Sequence, residues 1–110
     1  MQAASRHLSS VSRNSTEQGL EGLPAVLTVG AHPKSTRHIE AFVWSVTLDG
    51  ILVTTDESLQ GTTYAWVELE LPDLGIIRPL MRVEEQDGDN VWLTYRHLFP
   101  KDKEMLRRSL

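Results

Sequence analysis

The strongest constraint on this chain is the rhythm at which short β-prone runs are cut by turn residues. Ala25-Val26-Leu27-Thr28-Val29 is β-prone, stops at Gly30 and has Pro33 just beyond. In residues 38–47, Ile39, Ala41, Val43 and Ser45 fall on one side of an extended strand, and Glu40, Phe42, Trp44 and Val46 on the other. Asp49-Gly50 then separates this run from Ile51-Leu52-Val53-Thr54-Thr55, a step that predicts a tight hairpin over 38–55. A turn cluster from Asp56 to Gly61 leads into a strand where Tyr64, Trp66, Glu68 and Glu70 alternate with Ala65, Val67, Leu69 and Leu71. Pro72-Asp73-Leu74-Gly75 makes the next turn, and Ile76 to Val83 forms a further β-prone run. Asp87-Gly88-Asp89-Asn90 turns the chain into a last strand, Val91-Trp92-Leu93-Thr94-Tyr95. Strands at this spacing predict a mostly β, antiparallel barrel or sandwich.

The two ends of the chain differ from that pattern. After Pro100, acidic Asp102 and Glu104 come early, Arg107 and Arg108 come late, and Met105, Leu106 and Leu110 fall at helical spacing, so a short C-terminal helix is expected. Residues 1–22 are rich in Ser, Gln, Asn, Gly and Glu and read as a flexible tail, although the Arg-containing, acid-free stretch 1–16 also has the composition of an organelle transit peptide. The division expected is a tail over 1–22 and one domain over 23–110, because 110 residues support a single core. Arg6 and Arg13 give residues 1–16 a charge of +2 within a chain of net −4, which leaves −6 on the remainder. An acidic body argues against DNA or RNA as a partner. The absence of cysteine excludes disulfides and thiolate chemistry and fits a cytoplasmic location. No apolar run reaches the roughly 18 residues of a membrane-spanning helix, so no membrane insertion is expected.

No catalytic constellation emerges. His7, His32, His38 and His97 are scattered without metal-ligand spacing, and there is no nucleophile elbow or phosphate-cradling glycine loop. Glu84, Glu85, Asp87 and Asp89 crowd the region after Val83, where a solvated turn is a simpler reading than a cation site. Arg78 and Arg82 form a modest positive spot, read as surface ion pairs. Trp44, Trp66 and Trp92 lie on three different expected strands; they are expected to fill the core, the other reading being a stacking platform for a planar ligand. A binding or signalling module is expected rather than an enzyme.

Several segments together carry a family resemblance. The run Ser45-Val46-Thr47-Leu48-Asp49-Gly50-Ile51-Leu52-Val53, a strand ending Glu68-Leu69-Glu70-Leu71-Pro72, then Trp92-Leu93-Thr94-Tyr95-Arg96-His97-Leu98 and a charged helix resemble the PilZ domain over roughly residues 22–110. That resemblance implies a six-stranded antiparallel β-barrel with a short C-terminal α-helix and, as its ligand, the bacterial second messenger cyclic di-GMP. The family's Asp/Asn-x-Ser-x-x-Gly motif aligns with Ser45, Thr47 and Gly50, with Ser45 in place of the carboxylate or amide and Thr47 in place of the serine. Its Arg-x-x-x-Arg motif falls on Arg13-Asn14-Ser15-Thr16-Glu17-Gln18, which keeps one arginine, so Arg6 and Arg13 are the candidates for gripping phosphate. The resemblance therefore implies a bacterial signalling adaptor that works through a protein partner in cyclic di-GMP-related control of motility, pili, surface polysaccharide or virulence, with weak or no nucleotide binding. The alternative is a direct cyclic di-GMP receptor with a divergent site made of Arg6, Arg13, Ser45, Thr47 and Gly50.

Overall fold

Side chains alternate across a strand, so a strand wrapped around a core buries every second residue. The computed structural model describes residues 20–30 and 35–110, and several of its strands follow this rule. They are β1 (Pro24–Val29), β2 (Arg37–Val46), β3 (Gly50–Thr54), β4 (Tyr64–Leu71), β5 (Gly75–Ile77), β6 (Leu80–Asp87) and β7 (Asn90–His97), followed by helix α1 (Pro100–Ser109). In β4 the pattern is strict, with Ala65, Val67, Leu69 and Leu71 buried and Tyr64, Trp66, Glu68 and Glu70 exposed.

Every pairing is antiparallel, in the order β1-β2-β3-β7-β6-β4, and β1 also pairs with β4. That last pairing, Ala25↔Leu69 through Thr28↔Trp66, closes a six-stranded barrel and removes its open edges. The short β5 continues the line of β6 along β4. Arg78-Pro79 interrupts them because proline has no N–H to donate to the ladder, yet the Pro79 carbonyl still accepts from Val67 N–H at 3.0 Å. The expected run from Ile76 to Val83 is thus two strands, and the second continues through Glu84 and Glu85 to Asp87 instead of turning after Val83.

The interior is aliphatic: Leu27, Ile39, Val43, Ile51, Val53, Val67, Leu69, Met81, Val91 and Leu93 are all buried. This overturns the expectation that Trp44, Trp66 and Trp92 fill the core. Trp66 is 46% exposed, and Trp44 and Trp92 lie half-buried on the outside. A six-stranded barrel has a narrow lumen that branched aliphatic side chains pack closely, whereas indoles would overfill it.

A β-bulge resets the facing of β2 beyond Val43. Ile39, Ala41 and Val43 face inward, but Val43 pairs with Val53 while Ser45 pairs with Leu52, so the register shifts between them. The shift brings Val46 inward opposite Ile51, whereas Phe42, ahead of the bulge between inward Ala41 and Val43, lies outside at 53% exposure.

Both barrel ends are closed. At one end the loop after β3 inserts Leu59, 2% exposed, and Gln86 clamps that loop by accepting from Leu59 N–H at 2.8 Å and donating to the Glu57 carbonyl at 3.0 Å. At the other end α1 lays Met105 and Leu106 against the core, one helical turn from buried Asp102. Leu20 also joins the core, and Gly22 N–H donates to the Val43 carbonyl at 2.7 Å, so the packing reaches back ahead of Leu23. No described helix is long and apolar enough to cross a membrane.

Candidate functional site

The hairpin between β2 and β3 holds three of the five residues singled out from sequence. Thr47 Oγ1 accepts from the backbone N–H groups of Asp49 and Gly50, each at 3.1 Å, and donates to the Gly50 carbonyl at 3.3 Å. Thr47 N–H also donates to that carbonyl at 2.9 Å. A hydroxyl engaged this way stitches the turn together, an ordinary use of threonine in turns. Ser45 is 2% exposed, which leaves almost none of it for a ligand to touch.

Gly50 has a different task. Its pairing places it opposite Thr94 on the outer side of the barrel, and the ring of Trp92 crosses directly over it. A Cβ added there would lie 2.8 Å from Trp92 Cη2 and would collide with the Leu93 carbonyl oxygen. Glycine at this position is therefore dictated by packing within the chain.

Tyr95 fastens the same turn from below, donating from its hydroxyl to the Thr47 carbonyl at 2.9 Å. Burial, with the Asp49 carboxylate adding to it, pushes the Tyr95 phenol well above its ordinary range, so it remains a protonated donor. Sequence reasoning placed Tyr95 in the last strand but gave it no part in the site, because its partner lies far away along the chain. Arg6 and Arg13, the remaining two candidates, lie outside the described residues.

Two other surface features could take part in recognition. A groove of about 530 Å³ is lined by His38, Glu40 and Phe42 of β2, by Thr54 to Glu57 and by Asp89. It opens where β2 runs on past the end of β3, and Thr55 Oγ1 bridges the divergence by donating to the Glu40 carbonyl at 2.8 Å. Its wall is acidic, although Glu57 is paired with Arg37 at 3.4 Å. Among the described residues, no three His, Asp or Glu side chains converge where a metal ion could sit. Glu84 is directed instead to the Thr94 hydroxyl and towards Arg82.

The second feature mixes apolar and polar side chains. Backbone register aligns His38, Thr28, Trp66, Leu80 and His97 in one row across the outside of β2, β1, β4, β6 and β7. Phe99, 46% exposed, stacks edge-on against His97 with ring centroids 4.5 Å apart. Tyr64 and Val26 flank the row, both exposed. Arg78 and Arg82 border it as ion pairs, Arg78 with Glu68 at 3.6 Å and Arg82 with Glu84 at 3.8 Å. The alternation in β4 marked Tyr64 and Trp66 as outward from sequence, but only the register joins them to β6 and β7.

No family model matches the chain, and no curated protein matches it.

Proposed function

We propose that this barrel is a PilZ-like adaptor that works by protein contact, without tight nucleotide binding, in bacterial cyclic di-GMP-related control of motility, pili, surface polysaccharide or virulence. The observation that carries this reading is the internal use of the hairpin residues that resemble a ligand motif. Thr47 is engaged by its own turn, Ser45 is buried, and Gly50 is required by the indole above it. A nucleotide at this hairpin would have to displace the Thr47 contacts, and each such hydrogen bond contributes about 0.5–1.5 kcal/mol to the fold. The exposed row centred on Trp66 supports the protein-contact half of the reading, since aromatic residues are enriched where proteins dock. The proposal involves no catalytic step and places the protein in the cytoplasm.

Titrating cyclic di-GMP into the full chain by calorimetry tests it. The expected outcome is no saturable heat at micromolar ligand. Saturable micromolar binding replaces the adaptor with a direct receptor, and Arg13→Ala should then weaken affinity by about 1.5–3 kcal/mol, the scale of a hydrogen bond to a charged group.

A further inference from the structure

The acidic groove beside β2 lies on an open strand edge. Pairing with β3 stops at Phe42↔Thr54, so β2 from Arg37 to Ala41 has a strand only on its β1 side. Val43 exchanges backbone hydrogen bonds with Leu23 and Gly22 on that β1 side. Backbone groups alternate along a strand, so those of His38 and Glu40 point the other way, into the groove. There the Glu40 carbonyl accepts from the Thr55 hydroxyl, while the Glu40 N–H and both His38 groups face no strand among the described residues. The groove's charge is equally open. Among the described residues Glu40, Asp56 and Asp89 form no ion pair, and Glu57 alone is balanced, by Arg37. Phe42, 53% exposed, adds an apolar wall.

We infer that this groove holds the chain's own segment from Arg6 to Arg13 in extended form. Charge selects that segment: residues 1–16 contain Arg6 and Arg13 and no acid, whereas every unpaired charge in the groove is negative. Attachment selects it as well. The Leu20 carbonyl accepts from Leu23 N–H, and Leu23 lies against Val43, next to the groove residue Phe42. From Val43 back to His38, at the far end of the groove, β2 measures about 17 Å at about 3.4 Å per residue. The link from Arg13 to Leu20 spans up to about 23 Å when extended, so Arg13 reaches the groove across β2. Leu8 and Val11, between the two arginines, supply apolar side chains for Phe42. Tethering presents the segment at about millimolar effective concentration, so contacts too weak to hold a free peptide hold this one. The inference does not rest on the adaptor reading, and its test contains neither nucleotide nor partner.

The chain lacks cysteine, so Ser10→Cys gives a single attachment point for a nitroxide on the full chain. In magnetic resonance spectra the amides of His38, Glu40, Thr55, Asp56 and Asp89 should lose most of their intensity, while those of α1 keep it. Salt at about 1 M, where the screening length falls to about 3 Å, should return the lost intensity. Arg6→Glu with Arg13→Glu should return it too, and so should Glu40→Lys with Asp89→Lys. Glu40 and Asp89 are exposed, so the thermal melt should stay intact. All four substitutions together should restore the broadening, because the charges are then exchanged between segment and groove. Broadening that is uniform, centred elsewhere, or insensitive to reversal of Arg6 and Arg13 overturns the inference. So does failure of the fourfold variant to restore it. Broadening passed from a nitroxide-bearing copy to a separate isotope-labelled copy assigns the groove to a second chain and overturns it as well.

Discussion

Gly50 shows how a single hydrogen atom in place of a methyl group can decide a local structure. Its neighbours are the Leu93 carbonyl of the paired strand and the Trp92 ring, and neither is a loose side-chain end that can swing away. Gly50→Ala should therefore lower stability by about 1–3 kcal/mol, the usual cost of overpacking, measured as a shift in the urea midpoint. Tyr95 makes a prediction in pH. Its phenol loses its proton near pH 10 in the unfolded chain but holds it to higher pH when folded. Above pH 10 the folded state therefore binds more protons than the unfolded state, and stability falls as pH rises. One such group contributes a slope of at most about 1.4 kcal/mol per pH unit. Tyr95→Phe should remove that component from urea melts taken between pH 9 and 12 and lower stability at pH 7 by about 0.5–1.5 kcal/mol through the lost hydrogen bond. The Asp49-Gly50 turn was legible in sequence because turn chemistry is local. The hold of Tyr95 on Thr47 was not, because it joins residues on different strands.

At the scale of elements, the attachment of α1 depends on one carboxylate. Asp102 is 8% exposed in the first turn of the helix, and its Oδ2 accepts from the Arg78 backbone N–H at 3.0 Å. That N–H lies in the break between β5 and β6, where the ladder along β4 is interrupted, so the helix satisfies a donor that the sheet leaves over. Asp102→Ala should cost about 1.5–3 kcal/mol, and the Arg78 amide should lose hydrogen-exchange protection ahead of the amides of β7. The helix itself was legible from Pro100, its charge order and its apolar spacing. Its anchor was not, because an acid in the first helical turn is already accounted for by the helix dipole, and nothing local marks Arg78 as its partner. The division of β5 from β6 was half legible: Pro79 signals a break, but only pairing shows that both pieces lie along β4.

For the whole molecule, stability should reside in the aliphatic lumen and not in the outer aromatics. Leu27 is fully buried and Trp66 is 46% exposed, so truncating the smaller residue should do more damage than truncating the larger. Leu27→Ala should cost about 2–5 kcal/mol in chemical denaturation. Trp66→Ser should stay within about 0.5 kcal/mol, as expected for an exposed site. Equal losses from the two substitutions would mean that the indole supports the barrel and would remove the main physical argument for a docking face.

Local patterns in the sequence determined most of the strand segments and turns, the antiparallel pairing and the helix that follows, because alternation, turn residues and capping order act over a few neighbours. Barrel closure through β1 and β4, and the outer row through Trp66 that crosses five strands, depended on pairings between distant segments. In β2 both faces are apolar, so hydrophobicity could not say which one turns inward. The narrow lumen decided that, taking in Ile39, Ala41 and Val43 and leaving Phe42 and Trp44 outside, and the bulge between Val43 and Ser45 then turned Val46 inside. The functional reading follows from this choice, since the same tertiary packing that engages Ser45, Thr47 and Gly50 in the hairpin leaves Trp66 exposed on the surface.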